Sequence, residues 1–281
     1  MTSLARIARL TTLPLLACAL ALPALATPVE DLRWIRDYYQ TRFPDVPFDE
    51  LKYGVYAIDA DARISWQSVE EFPPYADQLK RGKVLFNTPF ANGKTYGSCF
   101  PSEEIGVRQN YPYFDAGSGE IRTLELDINE CRRKNGEAPL DLRRGDMASI
   151  TAHMGYTSKG KPMRIELPDD PRALAWYEKG KKLYFERVGQ YNMSCANCHI
   201  DHVGKRMRGP VLPPALGQPA RFPLYRGAWG ELGTLHWRYE ECVLAIRGKP
   251  HEPQSPEYRA LEYYQSYLSN GVTIDAPASS R

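Results

Sequence analysis

The chain has 281 residues, 43% hydrophobic and 25% charged, an ordinary globular balance with length for two compact domains. Its formal charge of +2 includes Arg6 and Arg9 of the first 26 residues, which hold no acid. Without that stretch the chain is near neutral, which argues against a nucleic-acid partner. No later run approaches the roughly 20 apolar residues of a membrane span, so a membrane-embedded protein is not expected either.

Residues 1–26 read as a signal peptide. Arg6 and Arg9 form a positive n-region, residues 10–25 are largely apolar, and Ala24-Leu25-Ala26 fits a small-x-small cleavage site. Leu15-Leu16-Ala17-Cys18 faintly resembles a lipoprotein box, but the apolar run continues past Cys18. Cleavage near Ala26 and export to a periplasm are expected. Five of six cysteines then remain in an oxidising compartment: Cys99, Cys131, Cys195, Cys198 and Cys242.

Residues 28–39 start with Pro and acids and carry apolar residues at helical spacing, predicting a surface helix. Pro44, Pro47, Pro73 and Pro74 break the stretch up to residue 80 into turns and short pieces. Gly82-Lys83-Val84-Leu85-Phe86 then leads, 17 residues from its glycine, to Cys99, and Gly180-Lys181-Lys182-Leu183-Tyr184 leads, 15 residues on, to Cys195. Glycine, a basic residue, then aliphatic and aromatic residues ahead of a haem motif is the first-helix pattern of a class I cytochrome c, so the chain reads as a duplication. The first copy lacks the haem signature, because Gly97-Ser98-Cys99-Phe100-Pro101 has neither a second cysteine nor a histidine. Cys99 is expected to pair with Cys131, although sequence alone does not fix the pairing. That bridge closes a loop of some 32 residues, and loop-closure entropy values it at about 3–4 kcal/mol. Residues 121–128 fit a strand or a helix start, residues 140–154 an amphipathic closing helix, and residues 160–172 a linker.

The second half begins with a predicted helix over 171–188 and reaches Cys195-Ala196-Asn197-Cys198-His199. Cys-x-x-Cys-His is the attachment signature of a c-type haem. Two thiols on one turn reach the two vinyl groups, and the histidine supplies an axial nitrogen. A redox dithiol does not need His199, and a zinc site needs a second ligand pair that the sequence does not supply. Residues 204–232, with Pro210, Pro213, Pro214, Pro219 and Pro223, predict a long non-helical wrap. Residues 235–246 and 256–268 predict helices, the last with Ser255 as N-cap and Gly271 past its end. The organisation expected is mainly α: two tandem class I cytochrome c-like domains. Residues 27–167 form the degenerate copy without haem, and residues 168–281 carry one covalently bound c-type haem.

The ligand opposite His199 decides the function. Met207 is the only later methionine, and eight residues is a short reach to the far face of a porphyrin. His236, Cys242 and His251 are the other donors. Histidine gives a bis-His centre, whereas a thiolate gives a more electron-rich one. Cys242 is also the odd thiol of the count, either buried and inert or held for use. Arg238 precedes it by one helical turn and Arg247 follows five residues later, so either guanidinium favours a thiolate and offers a fork to an oxyanion. Lys205, Arg206, Arg208, Arg221 and Arg226 form either a solvated docking face or a funnel for a small dianion. Three alternatives stand beside a thiol enzyme. One is a plain electron-transfer cytochrome with His236 or Met207 on iron and Cys242 inert. The others are a non-catalytic haem-binding adaptor and a haem peroxidase.

Several stretches carry a family resemblance: Cys195 to His199, Gly204 to Arg208, Phe222-Pro223-Leu224-Tyr225-Arg226, Trp229, Leu232-Gly233-Thr234-Leu235 and Arg238-Tyr239-Glu240-Glu241-Cys242. With Tyr111-Pro112-Tyr113-Phe114-Asp115, Asn129-Glu130-Cys131-Arg132 and Asn135-Gly136-Glu137 earlier, the chain resembles the A subunits of the SoxAX cytochromes of the sulfur-oxidation system. The resemblance covers most of the mature chain and implies an L-cysteine S-thiosulfotransferase. Such an enzyme joins thiosulfate oxidatively to a cysteine on the swinging arm of the SoxYZ carrier and passes two electrons through haem to a cytochrome c acceptor. It implies His199 as proximal ligand, Cys242 as both haem-ligating and reactive cysteine, often carried as a persulfide, and Arg238 as the substrate contact. Arg247 joins them as a catalytic candidate on spacing alone. A SoxX cytochrome is the implied heterodimer partner. No Cys-x-x-Cys-His lies before residue 195, so the mono-haem type is implied.

Overall fold

The computed structural model describes residues 27–100, 106–207, 209 and 211–280. The expected signal peptide with Cys18, and also Arg208 and Pro210, lie outside the described residues. Four helices open the chain: α1 (Pro28–Arg42), α2 (Val55–Ile58), α3 (Ala60–Glu71) and α4 (Ala76–Asn87). A hairpin of β1 (Tyr113–Asp115) and β2 (Glu120–Arg122) comes next, then α5 (Leu124–Lys134) and α6 (Asp146–Tyr156). After α7 (Pro171–Phe185) comes a second hairpin, β3 (Leu224–Arg226) with β4 (Glu231–Gly233), then α8 (Leu235–Ala245) and α9 (Pro256–Leu268). The last strand, β5 (Ala278–Ser280), lies parallel to β3.

Two helix crossings frame the molecule, each made possible by a missing side chain. In α7 the buried residues Ala173, Tyr177, Gly180 and Tyr184 recur every three or four positions, so one face turns inward. A Cβ on Gly180 would sit 2.0 Å from the Ala260 carbonyl oxygen of α9. In α4 the same spacing buries Gly82 and Phe86, and a Cβ on Gly82 would sit 1.8 Å from the Ser149 carbonyl oxygen of α6. Glycine is needed at both points because the backbones touch. The start signals work as residue chemistry requires: Asp170 caps α7 ahead of Pro171, and Ser255 accepts from the Tyr258 N–H at the start of α9 ahead of Pro256.

The order between the crossings also repeats, at a constant spacing of 111 residues that pairs Pro112 with Pro223, Thr123 with Thr234 and Cys131 with Cys242. Each hairpin has two three-residue strands and hands over through its threonine to an 11-residue helix with the cysteine at its eighth position. The interiors differ. Around α4 and α6 the core is filled by Phe86, Phe90, Tyr96, Phe100, Leu124 and Ile128, and Cys99 is disulfide-bonded to Cys131. Around α7 and α9 a cavity of about 690 Å³ remains.

The packing departs from the expected division at the N-terminal end. Ile35 and Tyr39 of α1, with Leu51, share the core of α7 and α9, and the Tyr177 hydroxyl donates to Asp31 Oδ2 at 2.8 Å. Residues 28–51 therefore pack on the haem-motif half rather than leading into the other half. The closing helix expected from residue 140 starts only at Asp146, because Gly145 at φ +64° turns the chain into it. The wrap expected over 204–232 contains β3, β4 and a short 3₁₀ turn, Gln218–Arg221. Residues 121–128 combine both expected forms, a strand ending at Arg122 and a helix starting after Thr123, whose side chain accepts from Leu126 N–H at 3.2 Å.

The crossing supplies a stability test. Gly82→Ala forces α4 and α6 apart and is expected to cost about 1–3 kcal/mol in urea unfolding, while the visible absorption of the haem-motif half stays unchanged.

Candidate functional site

The Cys-x-x-Cys-His residues are folded into one turn, and side chains from three directions hold that turn. Ser194 Oγ accepts from Asn197 N–H at 3.1 Å, and Asn197 Oδ1 accepts from Ser194 N–H at 3.0 Å, which starts the turn Asn197–Asp201. From α1, the Tyr38 hydroxyl donates to the Ile200 carbonyl at 2.7 Å and the Tyr39 hydroxyl donates to the His199 carbonyl. The Tyr39 oxygen in turn accepts from Ala215 N–H at 2.9 Å, tying the turn to the Pro-rich wrap.

The wrap orients the imidazole. His199 Nδ1 lies 3.0 Å from the Pro213 carbonyl, so an Nδ1–H donating there leaves Nε2 as the lone-pair nitrogen for a metal. Burial holds His199 neutral, lowering its pKa to about 4. Gln218 Nε2 sits 2.8 Å from the same Nδ1 and donates to the Pro214 carbonyl at 2.9 Å. Behind it, Gln265 Nε2 donates to Gln218 Oε1 at 2.7 Å, and the Tyr239 hydroxyl donates to Gln265 Oε1 at 2.6 Å. A hydrogen-bonded chain therefore runs from Tyr239 of α8 through Gln265 of α9 to Gln218, which lies against the His199 ring.

Cys195, Cys198, His199, Arg238 and Cys242 all line the 690 Å³ cavity. Burial pushes the Cys195 thiol up to about 12, with the neighbouring Cys242 and Cys198 sulfurs adding to it. Burial opposes the charge on Arg238, but Cys242 and Glu241 outweigh it and the guanidinium is held protonated. These residues fit a c-type haem: two free thiols and a neutral imidazole on one turn face a cavity, with a third free thiol on the same lining. The buried Tyr184 hydroxyl, also on that lining, has no hydrogen-bond partner among the described residues, as expected where a bound group completes the site.

The other candidate donors separate. Met207 and His251 reach the cavity lining. His236 does not: its Nδ1 accepts from Gln254 N–H at 2.9 Å, and its Nε2 faces Glu262 Oε2 at 3.0 Å, at an angle outside hydrogen-bond geometry. Arg247 is also absent from the lining. Its φ of +55° turns it away, its Nη1 meets Gln190 Oε1 at 3.3 Å, and its guanidinium lies 5.2 Å over Tyr191. Spacing along α8 did not place it because the helix ends at Ala245, before Arg247. The basic cluster divides too. Arg206, Arg221 and Arg226 all line the cavity, but Arg221 is a buried charge, boxed by Tyr53, Tyr56 and Trp66 and lying beside Asp275. Tyr225 packs with Tyr75 and Leu232, away from the cavity, and Trp229 stacks on Trp237 at 4.2 Å.

Sequence reading missed Gln218, Gln265 and the partner of Arg238. Glu241 Oε2 takes ion pairs from both Arg238 and Arg226. The i, i+3 spacing of Arg238 and Glu241 on one helix face was the available signal; the glutamines carried none.

If Cys242 is the distal donor, His236→Gln leaves the low-spin visible spectrum of the ferric protein unchanged. A switch to a high-spin spectrum in that variant would put His236 on the iron.

Known proteins resemble this chain over most of its length. The family model described as "SoxA/TsdA, cytochrome c domain" matches residues 81–163, the half without the haem motif. The L-cysteine S-thiosulfotransferase subunit SoxA of Allochromatium vinosum is 44% identical over 257 residues, 91% of each chain. Its counterpart from Chlorobaculum tepidum is 45% identical over 251 residues, 89% of this chain and 87% of the other. A chain of the SoxXA crystal structure from P. pantotrophus superposes with a TM-score of 0.70 at 26% identity, covering 77% of this chain and 83% of that one. With a mainly helical cytochrome c fold and relatives at this identity along nearly its whole length, the chain belongs to the SoxA family.

Proposed function

We propose that this chain is the haem-bearing, thiosulfate-handling subunit of an L-cysteine S-thiosulfotransferase. The observation that carries the reading is the shared lining of one cavity by the Cys-x-x-Cys-His turn, the Cys242 thiol and the Arg238 guanidinium. Cys195 and Cys198 would hold a c-type haem by thioethers, and His199 and Cys242 would be the donors to its iron. Bound there, the haem supplies a one-electron redox centre of low potential.

The chain's own residues handle the sulfur. Arg238 holds the sulfonate end of thiosulfate by paired charge-assisted hydrogen bonds, which directs the sulfane sulfur toward Cys242. The Cys242 thiolate and that sulfane sulfur join in an S–S bond as two electrons leave, one to each of two oxidised cytochrome c molecules. The carrier cysteine's thiolate then attacks the sulfane sulfur and displaces the Cys242 thiolate, an exchange without net oxidation. The partners on this reading are a SoxX cytochrome, the SoxYZ carrier, thiosulfate and the acceptor cytochrome. Residues 1–26 direct export to the periplasm. The filled, disulfide-bonded half around α4 and α6 is a cytochrome c-like domain that has exchanged its haem for side chains.

Thiosulfate-dependent reduction of a c-type cytochrome, in the presence of the carrier and partner subunit, tests the reading. Cys242→Ser is expected to lower the rate by roughly a thousandfold or more while covalent haem is retained. An undiminished rate would leave an electron-transfer cytochrome in its place.

A further inference from the structure

Arg226, at the end of β3, and Arg238, on α8, converge on one carboxylate oxygen, Glu241 Oε2. Both guanidiniums line the cavity that holds the Cys242 thiol. One carboxylate between two guanidiniums leaves the group a net positive charge, and burial together with the nearby Arg238 lowers the proton affinity of Arg226. Arg226 is fixed from behind. Its guanidinium lies 5.1 Å over Trp229, Trp229 stacks on Trp237 at 4.2 Å, and Arg144 covers Trp237 at 5.7 Å. Arg144 is anchored in turn by Glu231 at 3.3 Å. Two forks aimed at one point match an oxyanion with several oxygens better than they match a single carboxylate oxygen.

We propose that Arg226 and Arg238 together form the sulfonate-binding site, and that Glu241 is an internal anion which the sulfonate of thiosulfate displaces. This rests on the thiosulfate function proposed for the chain. Glu241 keeps two like charges together while the site waits, and its competition excludes anions too weak to displace it. Binding makes and breaks ion pairs only, with no covalent change.

The test is calorimetric titration of thiosulfate into the haem-loaded protein in complex with its partner cytochrome, with the haems reduced and the acceptor and carrier left out, so that no S–S bond can form and only binding is read. Glu241→Gln keeps the shape and removes the competing charge; it is expected to tighten thiosulfate binding roughly tenfold. Arg226→Gln is expected to weaken it roughly tenfold, and Arg226→Lys, which keeps the charge but loses the fork, to fall between. Unaltered visible spectra establish that the variants are folded. Unchanged affinity in either Glu241→Gln or Arg226→Gln overturns the two-arginine site and leaves the thiosulfate reading standing. Absence of saturable binding to the unsubstituted protein overturns both.

Discussion

The turn that carries Cys195, Cys198 and His199 is held at its backbone by Tyr38 and Tyr39 and at its imidazole by the Pro213 carbonyl. A five-residue turn on its own has too few internal hydrogen bonds to hold three ligating side chains in register. α1 supplies the two hydroxyls from some 160 residues away in sequence, and the proline-rich wrap supplies the carbonyl that sets the histidine's tautomer.

The comparison lies within the chain. Both halves cross two helices at a glycine, continue with a hairpin and a threonine, and place a cysteine at the eighth position of an 11-residue helix. In one half that cysteine is bonded to Cys99 and the interior is packed with aromatic rings. In the other the equivalent Cys242 is free and faces an open volume. One frame thus occurs twice, closed in one half by a covalent link and bulky side chains and left open in the other.

Much of this was legible beforehand because it rests on local chemistry. Cys-x-x-Cys-His, the glycines at 82 and 180, the Ser255 cap and the pairing of Cys99 with Cys131 are short-range signals or come from counting thiols. Legibility failed where long-range packing decides. Nothing in residues 28–39 tells which half they cover, and the tyrosine hydroxyls that settle it act on carbonyls in the other half. Arg247 looked equivalent to Arg238 by distance along the chain, but a left-handed residue after the helix end turned it toward Tyr191. Arg221 read as a surface charge until three aromatic rings closed around it. Gln218 and Gln265 matter only through each other, and a glutamine pair 47 residues apart has no sequence signature.

The central claim is that Cys242 places sulfur opposite His199. Low-temperature electron paramagnetic resonance of the purified ferric protein, beside its Cys242→Ala variant, tests it most directly. A low-spin signal of thiolate type in the parent that disappears in the variant is the expected result. A signal that survives the substitution unchanged would remove Cys242 from the iron and contradict the account.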